Sequence, residues 1–279
     1  MTARAAVSVR DALDGARTAI AAGGSPTARL DAELLLADAL ATTRARIYAD
    51  PTAPVAGGAV RTFQSHVRRR AVDRAPVAYI TGRRAFRRLE LAVDERVLIP
   101  RPESELLVEL ALGLPAGAAV LDCATGSGAI ALALKDERPD LRVTGSDVDR
   151  AALAVAAANA DRLGLEVRWC AADLLHGLPD AFDAVVANLP YVPSAAIDGL
   201  EPEIARHEPR IALDGGRDGL DLIGRLIEQV ARGRATTVIL EHGGEQADAV
   251  AARCRAAGLR EVARHRDLAG VERATVARR

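Results

Sequence analysis

The sequence predicts an α/β chain whose mostly parallel, doubly wound sheet follows a small helical domain and a hairpin linker. Three observations predict it. Beyond Pro115, short apolar runs alternate with segments of helical length; before Pro76, apolar residues recur at helical spacing without such runs; between the two, Leu89, Leu91 and Val93 alternate as in a strand.

Taken in order, Ser8 is a helix cap ahead of Val9, Leu13 and Ile20, which share one side. Ser25-Pro26 supplies a second cap with proline at the first helical position, and the helix behind it carries Leu30, Leu34 and Leu40 near helical spacing. A Pro/Gly-rich loop at 51–58 precedes a third helix over 59–73, which ends before Pro76. Residues 1–75 therefore form the helical domain, 76–100 the linker and 101–279 the sheet domain. Strands are expected at 118–123, 141–147, 166–171, 182–188 and 236–243, with helices at 127–138, 149–163, 218–232 and 245–257. In such a sheet, ligands lie beyond the carboxyl ends of the strands.

Composition narrows the chemistry. Hydrophobic residues make up 49% of the 279 and charged residues 27%, a globular balance without extended disorder. Aromatics make up only 3%, too few to furnish both a core and a base-stacking surface, so single-stranded nucleic-acid platforms are disfavoured. Cys123, Cys170 and Cys254 are dispersed and odd in number, which argues against a disulfide framework and a structural zinc site. No apolar run suits a signal peptide or a membrane span, so a soluble, cytoplasmic protein is expected. The net charge of -1 hides an uneven distribution: nine arginines between 61 and 88 face one acid, Asp73. Either a surface that steers a macromolecular partner or a solvated helix face accounts for that cluster.

The first strand of the sheet domain runs into D-C-A-T-G-S-G-A (122–129) and then a helix. Gly126 and Gly128 permit a tight turn and close approach of a ligand, and the free amides at a helix start favour an anionic or carboxylate group. The second strand ends in Asp147, 21 residues after Gly126, where a carboxylate can accept hydrogen bonds from both hydroxyls of a ribose. An adenosine-containing cofactor follows. A dinucleotide fingerprint would need further glycines, but Ala occupies both 124 and 131, so pyrophosphate binding is disfavoured. S-adenosyl-L-methionine (AdoMet), an adenosine with a short charged tail, fits better, with S-adenosyl-L-homocysteine as its product.

The fourth strand leads into Asn188-Leu189-Pro190-Tyr191. That arrangement suits methyl transfer to a planar NH2 group, whose nitrogen is a poor nucleophile because its lone pair is delocalised. The Asn188 side-chain oxygen and a neighbouring backbone carbonyl can accept the two N–H bonds and stabilise positive charge developing on nitrogen. Tyr191 can hold the planar group by stacking, in line with the sulfonium methyl. Neither a buried base nor a metal is required. Alone, the tetrapeptide is a turn after a strand; beside the glycine loop, it is a catalytic candidate.

With these motifs assembled, the chain resembles the PrmC/HemK family, protein-(glutamine-N) methyltransferases that modify the glutamine of the Gly-Gly-Gln motif in peptide-chain release factors. The resemblance covers nearly the whole length: DAELLLADAL, YITGRRAF, VLIPRPESELLVE, VLDCATGSGAIALAL, N-L-P-Y, EPRIALDGGRDGLDLIGRLI and RDLAGVER. It implies a Rossmann-like class I AdoMet-dependent methyltransferase domain. It also implies that Ala124, Thr125, Gly126, Ser127, Gly128 and Asp147 hold AdoMet, with Asp173 and Leu174 near the adenine and Asn188 itself touching the cofactor. Asn188, Leu189, Pro190 and Tyr191 would receive the substrate glutamine, and the helical domain would help dock class I release factors; no nucleic-acid substrate is expected. An adenine-amine methyltransferase of RNA or DNA is the alternative, because N-L-P-Y also resembles the loop of ribosomal-RNA adenine dimethyltransferases. A cofactor-binding or release-factor-binding homologue with impaired catalysis is another.

The departures from the family pattern carry expectations of their own. Leu189 replaces the usual first proline of N-P-P-Y, which reduces preorganisation while Pro190 still holds residue 189 extended. Ala124 replaces a glycine, tolerable at negative φ and damaging if the loop needs φ > 0. Leu174 replaces a frequent tryptophan. Arg87-Arg88 replace an aromatic and a glycine, and R-P-E-S keeps the hydroxyl of R-P-E-T.

Overall fold

The computed structural model describes residues 7–179 and 182–279; the reading of the first six residues lies outside them. The chain divides into two compact units, one of Met1–Gly82 with Glu201–His207, the other of Arg83–Leu200 with Glu208–Arg279.

The smaller unit holds β1 (Val7–Ser8), α1 (Val9–Ala22), α2 (Ala28–Ala39), α3 (Arg44–Ala49), β2 (Pro54–Val55), α4 (Gly58–Ala71) and α5 (Val77–Thr81). Ser8 caps α1, its hydroxyl accepting the Asp11 N–H at 3.1 Å. The expected cap at Ser25 is corrected: α2 begins at Ala28, and the buried Ser25 hydroxyl instead donates to Asp31 and accepts from Arg70, each at 2.8 Å. The buried face of α2 is also shifted. Leu30 and Leu34 face solvent, whereas Ala32, Leu35 and Leu36 join Val9, Ile20 and Phe63 in the core.

Most of the arginine cluster is consumed by structure. Arg70 is buried between Asp31 and Glu203, and Arg74 grips the same Glu203 at 2.7 Å. Glu203 lies on α9 (Pro202–His207), the short segment that returns to the helical unit. Arg84 donates to the Pro100 carbonyl, while Arg87 pairs with Glu109 and Glu137 and Arg88 with Asp136. Among the described residues, Arg61, Arg68 and Arg69 of α4 are exposed and form a basic face.

The larger unit opens with the hairpin β3 (Arg83–Phe86) and β4 (Leu89–Ala92), closed by a two-residue loop in which Arg87 has φ 51°. After α6 (Glu105–Leu112) come β5 (Ala119–Cys123), α7 (Ala129–Glu137), β6 (Arg142–Asp147), α8 (Arg150–Leu163), β7 (Arg168–Ala171) and β8 (Ala184–Ala187). Beyond α9 follow α10 (Asp221–Arg232), β9 (Thr237–Glu241), α11 (Ala247–Ala256), β10 (Glu261–Arg266) and β11 (Glu272–Arg278). The seven-stranded sheet has the order β10-β11-β9-β8-β5-β6-β7, with β5 to β9 mutually parallel and β11 antiparallel to both neighbours. One face packs on α6 and α7 through Leu107, Val108 and Leu132; the other packs on α10 and α11 through Ile223, Leu226 and Val250. Burial on both faces accounts for the largely apolar runs of β5, β8 and β9.

Candidate active site

Next to one another in the sheet, β5, β6 and β8 deliver three loops to its carboxyl edge. Behind β5, the chain turns through Ala124 at φ 60°, Gly126 at φ 55° and Gly128 at φ 83°. The turn is built on Asp122, a buried carboxylate that accepts the Thr125 hydroxyl at 2.5 Å and the Ala131 N–H at 3.0 Å. Burial pushes Asp122 up to about 7 against these hydrogen bonds. At the end of β6, one oxygen of Asp147 accepts the Gly126 N–H at 2.9 Å and the other accepts that of Asp149 at 2.9 Å. Each oxygen keeps lone pairs for a further donor. Burial also raises the pKa of Asp147.

A cleft runs from this turn to the loop behind β8. Ala124, Gly126, Asp147, Asp173, Leu174, Asn188, Leu189 and Pro190, all expected from sequence, line it. Thr125, Ser127 and Gly128 stand behind the wall: Thr125 and Ser127 are buried, and a side chain at Gly128 would press on Leu132, Ala156 and Trp169. Asp173 also pairs with Arg225 at 2.7 Å. Leu174 is buried at φ 55° and packs into the α10-side core. Ala124 thus occupies the backbone region that the sequence reading identified as damaging for a non-glycine residue. Sequence reasoning missed part of the opposite wall, where Val97, Leu98, Ile211 and Ala212 line the cleft; VLIP and EPRIALDGG carried the signal as motifs without a role.

The loop behind β8 is held from beneath. Asn188 Nδ2 donates to the Ser104 hydroxyl at 2.9 Å, Ser104 donates to Glu241 Oε2 at 2.7 Å, and the Tyr191 hydroxyl reaches Glu241 Oε1 at 3.3 Å. Gln246 donates to the Tyr191 carbonyl at 2.9 Å and accepts the Gly243 N–H at 2.8 Å. Gly215 and Gly219 lie so close to the Pro190 and Tyr191 carbonyls that a Cβ on either would collide with them. Tyr191 is not among the residues that line the cleft beside the glycine turn; its ring packs against the α10-side core with the hydroxyl tethered to Glu241. Ser104, Glu241, Gln246, Gly215 and Gly219 were all missed as supports of the loop, because their partners are distant in sequence.

The glycine turn, the Asp147 carboxylate and the supported N-L-P-Y loop meet at one cleft, and comparison with known proteins gives its family context. Residues 11–82 match the PrmC N-terminal domain, and residues 102–207 match the methyltransferase small domain. The release factor glutamine methyltransferase of Caulobacter vibrioides is 42% identical over 88% of this chain and 87% of its own length. That of Bordetella pertussis is 42% identical over 88% of this chain and 93% of its own. The chain belongs to the release factor glutamine methyltransferase family.

Among solved structures, a methyltransferase from Pyrococcus furiosus shares the fold at 19% identity and a TM-score of 0.52, covering 68% of this chain and 88% of its own. Membership of the release factor glutamine methyltransferase family identifies a methyltransferase of the class I fold. It also gives the departures their weight: Ala124, Leu174 and Leu189 all line the cleft itself.

Proposed function

We propose that the cleft transfers the methyl group of AdoMet to the side-chain amide nitrogen of the glutamine in the Gly-Gly-Gln motif of class I peptide-chain release factors. The observation that carries this reading is Asn188, whose side chain is held at the cleft with its NH2 group turned to Ser104. Its oxygen is thereby left to accept an N–H of the substrate amide, and the Leu189 carbonyl serves as the second acceptor.

The residues present fit AdoMet. The open space over Gly126, the Asp147 carboxylate and the apolar surface of Val148 and Leu174 suit an amino-acid tail, a ribose and an adenine. When bound, AdoMet supplies an electrophilic methyl on a sulfonium. Asp147 holds the ribose, Ala124 to Gly128 shape the turn for the tail, and Asn188 with Leu189 orients the amide while its displaced proton passes to water. Tyr191 acts from the base of the loop. The helical domain of residues 1–75, continued by the linker to residue 100, docks the release factor. The described residues contain no helix long and apolar enough to cross a membrane; the cytoplasmic setting proposed here follows from the substrate, because release factors act there.

The test is the mass of a release-factor Gly-Gly-Gln peptide after incubation of the factor with this protein and labelled AdoMet. One added methyl on glutamine is expected. Label in RNA or DNA in place of protein would assign the chain to adenine-amine methylation, and cofactor binding without turnover would mark it as an impaired homologue.

A further inference from the structure

We infer that Glu241, acting through Ser104, is a positioning residue that fixes which way the Asn188 amide faces. The inference rests on the methyl-transfer reading of Asn188 and extends it to a buried carboxylate outside the cleft lining.

The geometry is a chain of three polar groups. Glu241 ends β9 and is buried, with its Oε2 at 2.7 Å from the Ser104 hydroxyl. An ionised carboxylate only accepts, so Ser104 must spend its single proton on Glu241. Its remaining lone pairs face Asn188, 2.9 Å away. Only the NH2 half of the Asn188 amide can meet a lone pair with a proton; the flipped amide would set oxygen against oxygen. A polar group that ionisation of Glu241 makes one-directional therefore decides the orientation of an amide that is otherwise ambiguous by a half-turn. With NH2 committed to Ser104, the oxygen is the group left for the substrate.

The surroundings suit a carboxylate that titrates. Glu241 is faced by Tyr191, by Arg273, which favours its charge, and by Glu103, which opposes it. His242, next in sequence, turns its ring to the Gly243 carbonyl and the Thr275 hydroxyl. Burial outweighs the favourable contacts and pushes Glu241 up to about 7. Below that pH a protonated Glu241 can donate to Ser104, the hydroxyl is released to point either way, and the amide loses its fixed orientation. Above it, the chain runs in one direction only.

The test combines rate and spectroscopy. Wild-type kcat should rise as pH passes through about 7, with the Asn188 side-chain NH2 resonances, identified by their loss in Asn188→Ala, titrating at the same midpoint. Ser104→Ala should lower kcat by about tenfold to a hundredfold without weakening AdoMet binding. In that variant the Asn188 resonances, if the relay is broken, no longer follow pH. Ser104→Thr, which restores a hydroxyl, should recover most of the rate. Glu241→Gln, close in shape and free of charge, should lose the pH step, and adding it to Ser104→Ala should cost little more than Ser104→Ala alone.

Unchanged kcat in Ser104→Ala, additive losses in the double variant, or Asn188 resonances that ignore pH in the wild type would each overturn the inference. If the wild type adds no methyl to the Gly-Gly-Gln peptide, the activity reading fails separately, and the Asn188 titration still decides whether Glu241 controls the amide.

Discussion

The two sides of the cleft are held by different means. On the cofactor side, the chain turns through positive φ at Ala124, Gly126 and Gly128, and again at Leu174, so two of four such positions carry side chains that disfavour that backbone. On the substrate side, the Asn188–Tyr191 loop has no residue at positive φ; its glycines stand beneath it, at 215 and 219, where the carbonyls of the loop need room. Strain is therefore concentrated where the cofactor is expected, and hydrogen-bonded support where the chemistry is expected. Leu189 replaces a proline on the side that has external support, which compensates for the rigidity lost.

The largest separation between the two sides should come from Asn188→Ala. Loss of one oriented polar group at the developing charge is expected to lower the methylation rate by about tenfold to a thousandfold, with AdoMet affinity retained. Rate measurements at saturating AdoMet, with calorimetry for binding, separate the two effects. Unchanged turnover would remove Asn188 from the chemistry.

Gly219→Ala tests the support. Gly219 sits at φ 78° against the Tyr191 carbonyl, so a methyl there must push the loop away. A displacement of about 1 Å in a positioning loop can cost on the order of a hundredfold in rate, and a loss of at least about tenfold is expected. AdoMet binding should change much less, because the collision lies beneath the loop and away from Asp147. If binding and rate fall together, the two sides share a single support and the comparison collapses.

Asp147→Ala should give the opposite pattern. A carboxylate making charge-assisted hydrogen bonds contributes about 1.5–3 kcal/mol, so AdoMet affinity should fall by about tenfold to a hundredfold. Turnover at saturating AdoMet should fall less than in Asn188→Ala. An unaltered dissociation constant would contradict the ribose role.

These supports also explain what was legible in the sequence. The parallel strands could be read because burial on both faces leaves apolar runs, and the glycine turn because strand, turn and helix are contiguous. The β10–β11 hairpin was missed: Glu261, Arg264 and Arg266 face solvent at the edge of the sheet, and no apolar run marks the strand. The short helix α6, which directly follows R-P-E-S, went unread. Ser104 and Glu241 stand 137 residues apart, and no spacing rule connects them; only the sheet order brings the end of β9 beside the loop behind β8. The arginine cluster illustrates the converse. Composition alone allowed a basic docking surface, but Arg70, Arg74, Arg87 and Arg88 are committed to carboxylates within their own units.

The smallest expected effect is the most direct test of strain. Ala124→Gly removes a Cβ from a residue at φ 60°, relieving about 1–2 kcal/mol of left-handed backbone cost. Against this, glycine gives the unfolded chain more freedom, which costs about 0.4–1 kcal/mol. The strain term is the larger, so a net gain of about 0.5–1 kcal/mol is expected, or an increase of about 1–4 °C in melting temperature for a unit of this size. AdoMet binding should hold or tighten, since Ala124 lines the cleft. Leu174→Gly would not serve the same purpose: Leu174 shares the backbone strain but is buried against the α10-side core, and its lost packing of about 2–5 kcal/mol would exceed the strain relieved. Ala124, with one methyl and no comparable core contact to lose, isolates the backbone term. A lower melting temperature in Ala124→Gly would show that this turn carries no net strain and would leave the two sides of the cleft energetically alike.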